Sequence, residues 1–150
     1  MRITLSLLKP DEINRASRIV GKNYSKNYEQ LAKKEFREMF GKSYGSPLYF
    51  VAKDKGNIVG VAGFIQSWMD YSVYEIFWVN ILPERQKQGI GKEMVSRIIC
   101  EIKKKKNAEV ILLTANQEVG NPTYYKKQFG FKSLQKFGKS YQLMSLSLRL

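Results

Sequence analysis

The stretch Glu84 to Met94, ERQKQGIGKEM, constrains this chain more than any other, because it sets two glycines one residue apart where a strand hands over to a helix. Upstream, SVYEIFWVNILP is rich in β-branched and aromatic residues and stops at Pro83. Downstream of Ile90, the residues Met94, Val95, Ile98, Ile99 and Ile102 recur at helical intervals, with Lys92, Glu93, Arg97 and Glu101 opposite them. That is the pattern of an amphipathic helix lying on a sheet. The first N–H groups of a helix have no partner within it and share the positive end of its dipole. A corner stripped of side chains at 89 and 91 therefore suits an anion such as a diphosphate. A Walker A loop would need Gly at 86 and Ser or Thr at 93, where Gln86 and Glu93 stand, and a dinucleotide fingerprint would need a third glycine in place of Met94. What remains is Gln-x-x-Gly-x-Gly, Gln86 to Gly91; a glycine-closed tight turn is the plainer alternative.

The rest of the chain supplies a sheet for that corner. Ile3, Leu5 and Leu7 alternate as a short strand, and KPDE opens a helix over residues 11–20. YEQLAKKEFREMF repeats apolar residues at helical spacing and stops before Gly41. LYFVAKD and NIVGVAGFIQSW flank the turn signal DKG and read as an antiparallel hairpin. AEVILLTA is a continuous apolar run, expected to be a strand covered on both faces and parallel to a neighbour. Asn121 and Pro122 start a short helix that Gly130 closes, and YQLMSLSLRL alternates as a final strand. The lysines 103–106 sit in the last turn of the preceding helix, where cations complement the dipole.

Composition narrows the chemistry. At 150 residues the chain fits one domain, 1–150. It holds no histidine and one cysteine, Cys100, which removes serine and cysteine hydrolases that rely on an imidazole and zinc sites built on His, and rules out an intrachain disulfide. No metal is expected. The absence of a leader-like or membrane-spanning stretch points to a cytoplasmic protein without membrane attachment. The net charge of +13, of which residues 84–150 carry +9, favours a polyanionic partner, although charge runs are commonly solvated faces.

Gln86 to Gly91, the preceding VNILPER, and NPTYYKKQFGF followed by LMSLSL together resemble the GNAT superfamily of acyl-CoA-dependent N-acetyltransferases over most of the chain. The resemblance implies an α/β (α+β) fold with a mostly antiparallel central sheet of six to seven strands, about four helices, and splayed fourth and fifth strands. It implies acetyl-CoA as acyl donor, its diphosphate held by the backbone N–H groups of Gln86, Lys87, Gln88, Gly89, Ile90, Gly91 and Lys92, with Arg85 and Lys87 adding charge. Val79 and Ile81 would offer backbone groups to the pantetheine arm, with Asn116 beside it. A small-molecule or peptide amine would be the acceptor, a homodimer is compatible with this reading, and no specific nucleic acid is expected.

Acetyl transfer needs a base, an acid and a dipole for the oxyanion. A backbone N–H of the fourth strand near Ile81 fits the last role. Simple alternation puts Glu75 on one apolar face with Val73, Phe77, Val79 and Ile81, which suits it to take up a proton, and counting back from the loop it matches the glutamate base of the histone-acetyltransferase branch. A bulge turning Glu75 to solvent is the alternative. The family's tyrosine acid lies four residues before Gly-Phe, where Lys126 stands; Tyr125 serves only if one extra residue is absorbed at the helix end, and otherwise packs on Phe129. Tyr24, Tyr28, Trp68, Asp70 and Tyr71 are candidate acceptor contacts or rim aromatics. Two other classes remain open: a basic nucleic-acid-binding module, for which no interleaved aromatic platform is evident, and a CoA-binding protein without turnover.

Overall fold

The computed structural model of the chain describes residues 3–119 and 121–149. Seven strands form one sheet in the order β1-β2-β3-β4-β5-β7-β6. β1 (Thr4–Leu7), β2 (Leu48–Asp54), β3 (Asn57–Gln66) and β4 (Val73–Ile81) make an antiparallel meander, and β5 (Val110–Asn116), β7 (Tyr141–Ser147) and β6 (Lys132–Phe137) complete it. Among the described residues, β4 and β5 are the one parallel pair.

Two helices, α1 (Ile13–Asn23) and α2 (Lys26–Arg37), lie on one face, and α3 (Ile90–Lys103) and α4 (Asn121–Phe129) on the other. The expected helix at residue 11 begins instead as a 3₁₀ turn at Pro10–Glu12. The Ser25 hydroxyl accepts from the Tyr28 N–H and separates α1 from α2. α3 buries Ile90, Met94, Val95, Ile98, Ile99 and Ile102 against the sheet, the stripe its spacing predicts. Arg149 closes the other end of α3: its Nε donates to the Ala108 carbonyl at 2.8 Å and its Nη2 to that of Lys106 at 2.9 Å.

The parallel pair is brief. Val73, Tyr74 and Glu75 pair with Val110, Ile111 and Leu112, and beyond that rung the strands part, although β4 continues to Ile81 and β5 to Asn116. The parting coincides with a bulge in β4, where the register against β3 shifts between Val61 and Gly63 and Trp78 takes φ +55°. A bulky residue in that region costs about 1–3 kcal/mol. Trp78 is held there from α2: its indole N–H donates to Glu35 Oε1 at 2.9 Å, and Phe36 meets its ring edge-on at 6.2 Å. β5 itself is covered on one face only, since Thr114 is exposed while Ile111, Leu113 and Ala115 are buried. The expectation of a doubly covered strand fails because α1 and α2 reach over the meander and stop short of β5.

Candidate functional site

The loop after β4 is shaped by its backbone. A 3₁₀ turn at Pro83–Arg85 leads into Lys87 at φ +62° and Gly89 at φ +87°, the N-cap of α3. Gly89 O accepts the first helical bond from Glu93 N at 3.1 Å. The N–H groups of Lys87, Gln88, Gly89, Ile90, Gly91 and Lys92 meet no acceptor among the described residues, so six donors face outward at the positive end of α3. The Ile90 side chain is buried at 1 % exposure and anchors the helix start in the core.

The glycines differ in what they do. Gly89 needs its left-handed backbone, and a Cβ there would meet nothing within 4 Å. Gly91 has no positive φ, and a Cβ on it would touch only Ile81 Cγ1 at an ordinary 3.7 Å. The protein's own packing therefore does not require Gly91; the space above the donors is kept clear. That cradle fits a diphosphate, and Lys87 and Lys92 stand at its edge outside any ion pair among the described residues.

Two neighbours of these donors are engaged within the protein. The Gln86 N–H is spent inside the turn, donating to the Pro83 carbonyl at 3.4 Å, so the free donors begin at Lys87. The Gln86 side chain is a fastener instead: its Nε2 donates to Asn23 Oδ1 at 3.1 Å and to the Ile81 carbonyl at 3.2 Å. Asn23 Nδ2 in turn donates to buried Asn80 Oδ1 at 3.0 Å and to Ile81 O at 2.9 Å, tying the end of α1 to the loop. Arg85 is tied to its neighbours, with its Nη1 on Asp54 Oδ2 at 3.0 Å and its Nε on Gln88 Oε1 at 3.1 Å.

Between the parted strands lies a cleft of about 220 Å³, lined by Ile76 to Asn80 of β4, Leu113, Thr114 and Asn116 of β5, and Tyr24, Tyr28, Asn121, Tyr125 and Tyr141. Leu82 N donates back to Val59 O of β3, so by alternation Val79 and Ile81 turn their backbone groups toward the gap. The Ile81 carbonyl is already taken by Asn23 and Gln86, which leaves the Val79 peptide groups as the freer ones. Asn116 Oδ1 accepts from the Glu118 N–H at 2.9 Å, folding the chain back at the end of β5 while the residue still lines the cleft.

Glu75 is half-buried at the last parallel rung, beside Ile65 and Leu112, and is not among the residues lining the cleft. The bulge corrects its expected companions. Glu75 shares a face with Phe77, and past Trp78 that face continues through Asn80, while Val79 and Ile81 pack on the α3 side.

Tyr125 lines the cleft and is 7 % exposed, packed against Phe129 and Phe131 at 6.1 and 5.8 Å. Burial pushes its hydroxyl well above the ordinary tyrosine range, and Tyr124 and Tyr24 push the same way, so it holds its proton. The extra residue is absorbed at the helix end: Gly130, at φ +83°, bonds to Lys126 O, and the Phe131 N–H reaches the Tyr125 carbonyl, one residue further back than the usual left-handed closure. Lys126 points to solvent.

Tyr24 and Tyr28 lie at the cleft as expected, whereas Trp68, Asp70 and Tyr71 do not. They occupy the β3–β4 turn at the start of β4, the far end from the loop, where Asp70 Oδ1 accepts from the Ser72 N–H and hydroxyl and Asn107 Nδ2 donates to the Tyr71 carbonyl. Asn23, Asn80, Asn121 and Tyr141 escaped the sequence reading. A larger hollow of about 920 Å³ at that same far end, between residues 41–47 and Tyr74 and Lys105, carries none of the loop's outward donors. Among the described residues no cluster of three or more His, Cys, Asp or Glu could hold a metal, and no helix is long and apolar enough to cross a membrane.

The family model of the acetyltransferase (GNAT) family matches residues 13–131. A search of curated proteins finds no match. Among solved structures, a GNAT-family protein from Desulfovibrio desulfuricans superposes with a TM-score of 0.84 at 12 % identity, covering 99 % of this chain and all of the other. YncA of Salmonella typhimurium, solved with its cofactor acetyl-CoA, gives 0.74 at 16 % identity, covering 98 % of this chain and 94 % of that one. The spermidine/spermine N-acetyltransferase SpeG of Vibrio cholerae gives 0.73 at 17 % identity over 97 % and 95 %.

Proposed function

The chain belongs to the acetyltransferase (GNAT) family, and on that premise we propose that it transfers the acetyl group of acetyl-CoA to a primary amine of a small molecule, amino acid or peptide by direct attack on the thioester. The observation that carries this reading is a pairing along β4: N–H donors without a backbone partner from Lys87 to Lys92 in the loop that follows the strand, and the β4–β5 cleft lined by Tyr125 and Val79 beside it. The neighbour solved with acetyl-CoA and the neighbour named for polyamine N-acetylation support it.

Lys87, Gln88, Gly89, Ile90, Gly91 and Lys92 would hold the diphosphate through their N–H groups, with Val79, Ile81 and Asn116 along the pantetheine arm. When bound, acetyl-CoA supplies a thioester carbonyl that a neutral amine attacks, forming the C–N bond as the C–S electrons leave on the thiolate. The Val79 N–H, fixed in the strand, is a dipole for the charge that develops on the carbonyl oxygen. Glu75 takes the amine proton through a water, since its carboxylate stands beside the cleft rather than in its lining. Tyr125, kept protonated by burial, donates to the departing sulfur.

The test is thiol release from acetyl-CoA across a panel of amines, with the acetylated product identified by mass spectrometry and CoA binding followed by calorimetry. Amine-dependent thiol release is expected. CoA binding with no amine-dependent release would leave a CoA-binding protein without turnover and defeat the proposal.

A further inference from the structure

The mouth of the cleft is built of tyrosines that the sequence keeps far apart. Tyr24 ends α1, Tyr28 lies in the first turn of α2, Tyr125 comes from α4, and Tyr141 opens β7 through its pairing with Asn116. All four line the cleft. The rings of Tyr24 and Tyr28 stand 5.4 Å apart at 48°, and Phe137 stacks on Tyr141 at 5.6 Å and 20°, extending the aromatic wall outward. Tyr24, Tyr28 and Tyr141 are 41–56 % exposed, so each keeps ring surface that an entering ligand can reach. Burial raises the Tyr24 hydroxyl, and Tyr141 and Tyr28 raise it further; in an open cleft protein atoms can surround a ring that water still reaches.

Between the rings the lining is neutral. Asn80, Asn116, Asn121 and Thr114 supply its polar groups, and no Asp, Glu, Lys or Arg is among the described residues that line it. Glu118, in the turn after β5, is held by the Ser140 hydroxyl at 2.7 Å. In a chain of net charge +13 this matters. A polycation entering the cleft meets a repulsive protein field and no carboxylate in the lining to offset it. A single ammonium is tolerated over tyrosine faces, and a flat ring gains by packing on them.

Resting on the acetyl-transfer reading above, we propose that the acceptor is a primary amine carried on an aromatic group, with no second positive charge. The ring packs among Tyr24, Tyr28 and Tyr141, and the amine is directed inward toward Tyr125 and the β4 peptide groups. The aromatic amine could be free or the start of a peptide, and the two share the same recognition.

The experiment compares 2-phenylethylamine, the dipeptide Phe-Gly, n-butylamine and spermidine, by thiol release and by calorimetric binding to the CoA-loaded protein. Aromatic pairs contribute about 0.5–1.5 kcal/mol each beyond area burial, so two such pairs give at least one aromatic amine roughly a five- to hundred-fold advantage in kcat/KM over n-butylamine. Which of the two leads identifies the source. Tyr28→Leu should narrow that ratio, while Trp68→Ser, at the far end of the sheet, should leave it unchanged. Spermidine as the best substrate, or a ratio that Tyr28→Leu does not move, overturns the proposal. If no amine is acetylated yet an aromatic amine alone binds the CoA-loaded protein, acetyl transfer fails and the aromatic mouth stands. If none binds, the mouth proposal falls.

Discussion

Replacing Gly91 separates what the fold needs from what a ligand needs. Its backbone is not left-handed, and an added Cβ would meet only Ile81 Cγ1 at 3.7 Å. Gly91→Ala should therefore be accommodated, and restricting the unfolded chain stabilises by about 0.4–1 kcal/mol. At roughly 2–4 °C per kcal/mol for a chain of this size, the melting midpoint should rise by about 1–4 °C. Gly91→Leu also meets no close protein atom at Cβ and should melt no lower than about the wild type. Its side chain, however, grows into the space above the outward N–H donors. Each hydrogen bond to a charged acceptor contributes about 1.5–3 kcal/mol, so blocking one should weaken CoA binding roughly ten- to hundred-fold. Thermal melts of the free protein and calorimetric titration with CoA read the two effects separately. A leucine variant that melts normally and binds CoA as tightly as the wild type would refute the diphosphate cradle. An alanine variant that loses stability would show that Gly91 serves the fold after all.

Glu75→Gln should lower turnover by ~10² to 10⁴ with CoA affinity nearly unchanged, the usual contribution of a positioned base, and should alter the acidic limb of the kcat/KM profile; near-normal turnover would pass the role to another group. Gln86→Ala removes exposed hydrogen bonds to Asn23 and Ile81 and should cost about 0.5–1.5 kcal/mol in a denaturant titration, whereas a loss confined to CoA affinity would mean that the side chain serves the ligand instead. Glu12 is buried and bonded to Lys53 Nζ and to the Lys9 N–H. Burial alone would raise its pKa, but those two partners outweigh it and hold the carboxylate below the ordinary 4.5. The stability this contributes is fully present above pH 4.5 and is lost as pH falls below it. Glu12→Gln should therefore flatten that part of the stability curve, and an unchanged acid transition would contradict it.

Local signals located most of the fold. The hairpin of β2 and β3 is written in its alternation and in Asp54-Lys55-Gly56, where Lys55 and Gly56 take positive φ, and α3 in a stripe that is buried as spaced. The outward donors at the start of α3 follow from the same stretch. What failed depended on distant partners. Nothing near Trp78 announces a bulge, because the residue that holds it, Glu35, lies 43 positions away. Trp68 and Tyr71 precede β4 and so read as close to the site, yet β4 is long enough to carry them to its opposite end. Tyr141 enters the cleft only through the pairing of β7 with β5. At Tyr125 the surplus residue was visible, but its resolution required the wider closure to Phe131.

The bulge at Trp78 acts on β4 as an inserted letter acts on a reading frame. Up to Phe77 odd-numbered side chains address the α1–α2 face; after it, the odd-numbered Val79 and Ile81 address α3. Straightening β4 at unchanged length would exchange the faces of every downstream position, sending Asn80 away from Asn23 and Ile81 away from Gly60, whereas deleting Trp78 itself would restore plain alternation and leave those faces as they are. Point substitutions in β4 and changes in its length are thus different kinds of mutation. The first alters one contact, while the second shifts the pairing register, and the bulge is the place in β4 where one residue can be removed with the later faces kept.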